Sequence, residues 1–189
     1  MNDYLGLPWR ASRAVIRIVL IGFLTAASAA LLLTIHQTGA SAAACNDNWL
    51  GTKNAKWDQA TNWDSGVPGT ATHVCISSGT LFAPTISAAP AFAQDITLSG
   101  ATLTVNNTLT VADTSGTGAN PSALRLGSTI TGSSTVTFAT GTTLNWNASG
   151  QMLGTGSTVF ASGSHVVIDG TGGAATAYDR TITNNGTIT

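Results

Sequence analysis

DITLSGATLTVNNTLTV, residues 95–111, alternates apolar and polar residues almost without a break. Ile96, Leu98, Leu103, Val105, Leu109 and Val111 take one face of short strands and threonines most of the other, because successive strand side chains point to opposite sides. Two folds fit this stretch. Asn106 and Asn107 between two TLTV segments suit a two-residue hairpin turn, since asparagine tolerates the positive φ such a turn needs. Alternatively, the segments belong to one coil of a solenoid, in which case similar segments must recur at a fixed period.

They do recur. Steps of about 20 to 22 residues from Leu103 land on Leu124, Leu144, Val166 and Ile188, and from Leu109 on Ile130 and Met152. Glycine and serine separate the stretches, as in GSSTVTF, TGTTLNW, TGSTVFA and SGSHVVI, and glycine makes corners at low cost. Each coil of such a solenoid buries its apolar face only against the coils above and below. The expected fold is all-β, a right-handed parallel β-helix; an antiparallel β-sandwich is the alternative. Leu103, Leu124, Leu144 and Val166 are expected to line one interior wall.

Composition agrees. The 189 residues include no glutamate, and after residue 44 the bases are Lys53, Lys56, Arg125 and Arg180 alone. Exposed helix faces are normally built with glutamate and lysine, so long helices are not expected there. A net charge of −1 lacks the basic footprint of nucleic-acid binding.

The N-terminus reads as an address. Arg10, Arg13 and Arg17 precede the apolar run Ile18 to Ile35, and TGASAAAC follows with small residues suited to signal peptidase. Residues 1–44 are the expected signal peptide, with cleavage before Ala43 or Cys45; an uncleaved anchor is the alternative. The product is then secreted or held at the bacterial cell surface, with no membrane span after cleavage. Cys45 and Cys75 are the two cysteines, both in the exported part. They are expected to pair in an oxidising compartment, although Cys45 also stands where a lipoprotein would be acylated.

From Cys45 to about residue 91 the chain is aromatic and loop-rich. Trp49, Trp57 and Trp63 lie within fifteen residues and must bury much apolar area if the segment is ordered, which makes it a compact cap. Residues 92–189 carry the coils. The alternation still runs at Thr189, which reads as the early part of a longer protein with further coils.

WDQATNWDSGVP (Trp57 to Pro68), followed by THVCI and then threonine- and glycine-rich segments, resembles the start of exported bacterial β-strand-repeat proteins of the autotransporter-passenger and adhesin type. The resemblance implies that the A-x-N-W-x-x-G-x-P element, with Trp49, Trp57, Trp63 and Pro68, opens and caps the β-helix. It further implies a non-catalytic surface scaffold, often adhesive, with a host or environmental glycan or a matrix protein as partner. No catalytic residue carries over. The sequence departs from that pattern at His73, where an aspartate is usual.

Some parallel β-helices are polysaccharide lyases or hydrolases, so an enzyme fragment is the alternative function. Such a site gathers carboxylates and a base on neighbouring coils. Asp169, Asp179 and Arg180, in DGTGGAATAYDR, are the one place where two acids and a base come close; this stretch also reads as a surface loop. Asp95, Asp113, Asp169 and Asp179 read as turn residues. His73 and His165 lack a second ligand at metal spacing and read as solvated strand positions. No cofactor motif is present. Thr-x-Thr pairs start at Thr102, Thr108, Thr135, Thr181 and Thr187. Stacked on one flat flank they would make the hydroxyl lattice by which some β-helical proteins bind ice. Their uneven spacing predicts instead that they do not stack, threonine being a good strand former on any solvent face. Trp146 alternates with Leu144 and is expected to point inward.

Overall fold

The computed structural model describes residues 44–113, 121–124, 127–147, 149–169 and 179–189. Nearly all of the expected signal peptide, and Arg125, lie outside the described residues. The rest is all-β; a 3₁₀ turn at Ala60–Asn62 is the one helical element among the described residues. Sixteen short strands form three parallel sheets. Sheet 1 holds β1 (Asp47–Asn48), β2 (His73–Ser77), β5 (Asp95–Ser99), β8 (Ser122–Leu124), β11 (Thr143–Asn147), β14 (His165–Asp169) and β16 (Thr187–Ile188). Sheet 2 holds β3 (Thr85–Ile86), β6 (Thr102–Val105), β9 (Thr129–Thr131) and β12 (Gln151–Met152). Sheet 3 holds β4 (Ala91–Ala93), β7 (Leu109–Val111), β10 (Thr135–Phe138), β13 (Ser157–Phe160) and β15 (Thr181–Asn184).

From β2 to β14 the chain visits sheets 1, 2 and 3 in turn, and the strands pair with the strand one coil away. This is the parallel β-helix, and residues 95–111 do not form a hairpin. β6 and β7 do not pair with each other; they lie on sheets 2 and 3. Asn106 and Asn107 have no positive φ, and both donate their backbone N–H to Ile86 O in the coil below, at 2.8 and 3.0 Å. A hairpin would have used those donors within its own turn.

Alternation fills the interior. Ile96, Leu98, Leu103, Val105, Leu109 and Val111 are all buried, which puts the apolar face of residues 95–111 around the inside of one coil. On sheet 3, Ala93, Val111, Phe138 and Phe160 stack, with the two phenyl rings 5.3 Å apart and inclined by 26°. Trp146 points inward as expected, buried, and donates Nε1–H to Gly150 O at 3.0 Å. At the corner between sheets 2 and 3, glycine is required. Gly132 (φ 111°) and Gly154 (φ 90°) sit one above the other, and a Cβ on Gly154 would lie 2.6 Å from Gly132 O.

The expected wall is corrected. Leu144 stacks on Val166, and Val166 on Ile188. Leu124, on the same sheet, lies opposite Trp146 instead. Leu103 belongs to sheet 2 under Ile130, and Ile130 stacks on Met152, but Leu109 is on sheet 3. The coil repeat is 22 residues where the loops are uniform, as from Thr135 to Ser157. Between Ile96 and Ser122 it is 26. Loop insertions between sheets therefore shift a counted step onto another strand.

The tryptophan-rich segment enters the stack as well as capping it. β1 and β2 are strands of sheet 1, so the first three-stranded coil, β2 to β4, begins ahead of the expected division at residue 91. Segment 55–57 covers the end of sheet 2, with Trp57 N–H donating to Thr85 O at 3.0 Å and Thr85 N–H to Ala55 O at 2.6 Å. Asp64 N–H donates to Asn48 O at 3.2 Å and covers β1. An uncovered sheet end is a template for edge-to-edge association, and these bonds remove it at two of the three sheets.

Candidate functional site

Trp49, Trp57 and Trp63 are buried and meet edge to face, with ring centroids 4.9 Å (Trp49 to Trp63) and 4.7 Å (Trp57 to Trp63) apart. Trp63 Nε1–H donates to Trp57 O and Trp49 Nε1–H to Phe82 O, both at 2.7 Å. Pro68 is buried beside them and lines a cavity of about 110 Å³ with Trp57, Val67, Ile86 and Pro90. That volume is below the range of small-molecule pockets. The residue this segment depends on most is Asn62, which sequence reasoning passed over. Fully buried, its Oδ1 accepts from Lys53 N (3.0 Å) and Asn54 N (3.2 Å), and its Nδ2 donates to Asn54 Oδ1 and Lys56 O, both at 2.9 Å. One amide thus satisfies the backbone of the 53–56 loop, the physical reason for asparagine before tryptophan in ATNW.

Cys45 and Cys75 are disulfide-bonded, with Cα atoms 5.7 Å apart and a sequence separation of 30. The bond ties the chain ahead of β1 to the outer face of β2.

Asp47 and Asp64 form a carboxyl pair where 63–65 folds over β1. Asp47 Oδ1 accepts from Ser65 N at 3.0 Å, and Asp64 accepts from Asn48 N and Nδ2 at 2.8 and 2.7 Å. Burial, helped by the neighbouring Asp64, raises the Asp47 pKa to about 6; the Asn48 donors lower that of Asp64 to about 2. A carboxyl whose folded pKa is raised stabilises the fold fully below its ordinary value of 3.8, and that contribution is lost as pH rises through about 6. Asp47→Asn keeps an acceptor for Ser65 and removes this titration. Urea midpoints are therefore expected to fall less between pH 4 and pH 7.5 in Asp47→Asn than in the wild type. Parallel profiles would overturn the assignment.

His73 and Asp95 are corrected. Neither a solvated position nor a turn, they are opposite residues of β2 and β5, and His73 Nδ1 bonds the buried Asp95 Oδ2. The carboxylate beside His73 thus comes from the next coil. Gln94 Nε2–H donates to Asp113 Oδ1 at 3.4 Å, both side chains being buried. Burial raises the Asp95 pKa, Asp113 adds to the rise, and His73 opposes it. The separation of His73 and Asp95 is 22 residues, one coil, so the repeat itself carried the signal. His165 is exposed, as expected, with Nε2 3.1 Å from Thr189 Oγ1.

Of the acid and base group expected near residues 169–180, the side chains of Asp179 and Arg180 are described. Arg180, expected on a surface loop, is 4% exposed and donates Nη2–H to Ser134 O (2.7 Å) and Ser157 O (2.8 Å). Burial lowers its pKa, and Asp179 opposes the shift. Asp179 Oδ1 accepts from Gly154 N at 2.6 Å. Asp113 sits instead beside Gln94 and Asp95. The Asp169 side chain lies outside the described residues. No group of three or more histidine, cysteine and acidic side chains suited to a metal occurs among the described residues. No family model, curated protein or solved structure matches the chain.

The outer faces of the sheets carry a partial correction. The Thr-x-Thr pairs beginning at Thr135 and Thr181 fall on sheet 3 in register, with Thr110 opposite Thr137, whereas Thr187 lies on sheet 1. The pair at Thr102 stacks under Thr129 and Thr131 on sheet 2. Uneven sequence spacing arises in the corners, while the strands stay aligned.

Proposed function

We propose that this protein is an exported, non-catalytic β-helical scaffold of the adhesin kind, presenting its threonine- and serine-rich outer faces to a glycan or a matrix protein. The observation that carries the reading is Arg180. Arg180, the base nearest two acids in the sequence, is buried and bonds two backbone carbonyls of neighbouring coils. His73 and Asp95 likewise join one coil to the next. Arg180, His73 and Asp95 thus join neighbouring coils, and threonine and serine face outward from sheet 3. The Cys45–Cys75 disulfide supports export, since disulfides persist in oxidising compartments.

A glycan-array and matrix-protein binding screen of the oxidised chain, run beside a polysaccharide degradation assay, tests this. Saturable binding without release of reducing or unsaturated sugar ends is expected. Turnover of a polysaccharide that is lost in Asp95→Asn would overturn it in favour of an enzyme.

A further inference from the structure

The outer face of sheet 3 is a two-dimensional array. Thr135, Ser157 and Thr181 make one file up the stack; Thr110, Thr137, Val159 and Thr183 make the next. Adjacent strands repeat at about 4.8 Å, and positions two apart on a parallel strand at about 6.6 Å. Threonine and valine are stiff at χ1, and Thr135 Oγ1 lies 2.8 Å from Ser157 Oγ, so the hydroxyls hold fixed positions from coil to coil. Neither file contains an ionisable side chain.

We propose that this face binds ice. The two repeats lie close to the oxygen repeats along two perpendicular directions of hexagonal ice, and fixed hydroxyls and methyls can replace one layer of that lattice at many points together. Each contact is weak, but a rigid array engages them simultaneously. Charge selects the same ligand: ice is neutral, and a charged side chain pressed against it would lose its hydration without a partner. The other faces fit less well. Sheet 1 carries His73, Asp95 and His165. On sheet 2 the file from Thr102 through Thr129 ends in Gln151, whose Oε1 accepts from Thr129 at 3.3 Å. A crystalline polysaccharide is favoured by aromatic platforms, and Phe92, on the end strand β4, is the one aromatic among the described residues on the outer face of sheet 3.

The proposal rests on the coil register and is independent of the adhesin reading. The test grows polycrystalline ice slowly from a dilute solution of the oxidised full-length exported chain and measures the protein trapped in it, while single ice crystals are watched for faceting. Wild type is expected to enter the ice and to shape crystals. Thr137→Lys and, separately, Thr183→Lys should lose both effects, falling to the level of an excluded globular control, with unchanged circular dichroism. Thr131→Lys, on sheet 2, should retain them. Exclusion of the wild type from ice overturns the proposal, as does loss in Thr131→Lys as complete as in Thr137→Lys. Binding to cellulose or chitin crystals with exclusion from ice also overturns it, while leaving the adhesin reading standing.

Discussion

Phe160→Ala should lower the stability of the coil stack by about 3–5 kcal/mol, the usual cost of truncating a packed phenylalanine. Phe160 is 0% exposed and Phe138, stacked on it, is 1% exposed. In a solenoid each coil meets only its neighbours, so the lost ring removes much of what joins β10 to β13 inside sheet 3. Little else can move in to fill the void, because sheets 1 and 2 are held by their own ladders. Phe92→Ala is the control: Phe92 is 43% exposed on the outer face of β4, and its loss should change stability by no more than about 0.5 kcal/mol. Urea unfolding followed by circular dichroism measures both. Equal costs for the two variants would show that the inward and outward assignments on sheet 3 are wrong.

Breaking the Cys45–Cys75 bond should cost about 3 kcal/mol, mostly by freeing the unfolded chain, given a closed loop of about 30 residues. The folded state also depends on it locally. β1 is two residues long, pairing only Asp47 with Val74 and Asn48 with Cys75, and the covalent tie lies just ahead of it. Once β1 loosens, Asp64 and Ser65 lose the strand they fold over. The double variant Cys45→Ser, Cys75→Ser is therefore expected to unfold at lower urea and to expose the tryptophan cluster first, seen as a fluorescence change that precedes loss of the β signal. Coincident transitions, with an unshifted midpoint, would contradict this.

Much of the fold was legible because a coil's chemistry is local. Alternation assigned inside and outside correctly for residues 95–111 and for Trp146, and the expected pairing of Cys45 with Cys75 is the bond that is present. Register was less legible. The repeat of 22 residues holds from His73 to Asp95 and from Thr135 to Ser157, but 26 residues separate Ile96 from Ser122. A loop lengthens at small cost in closure entropy, which grows only slowly with length. Strands cannot shift so freely, since a one-residue slip would turn the apolar face outward.

By itself, the sequence determined a β-rich chain with no long helix among the described residues, its inward-facing residues, its glycine corners and its tryptophan cap. Each follows from the preferences of single residues and near neighbours. Only the tertiary structure decided that TLTV and TLTV lie on different sheets, that His73 meets Asp95, that Arg180 is buried, and that the Thr-x-Thr pairs at Thr135 and Thr181 share one face. Those facts depend on which residues the coils bring opposite each other, and that is set by packing between coils that sequence spacing does not measure.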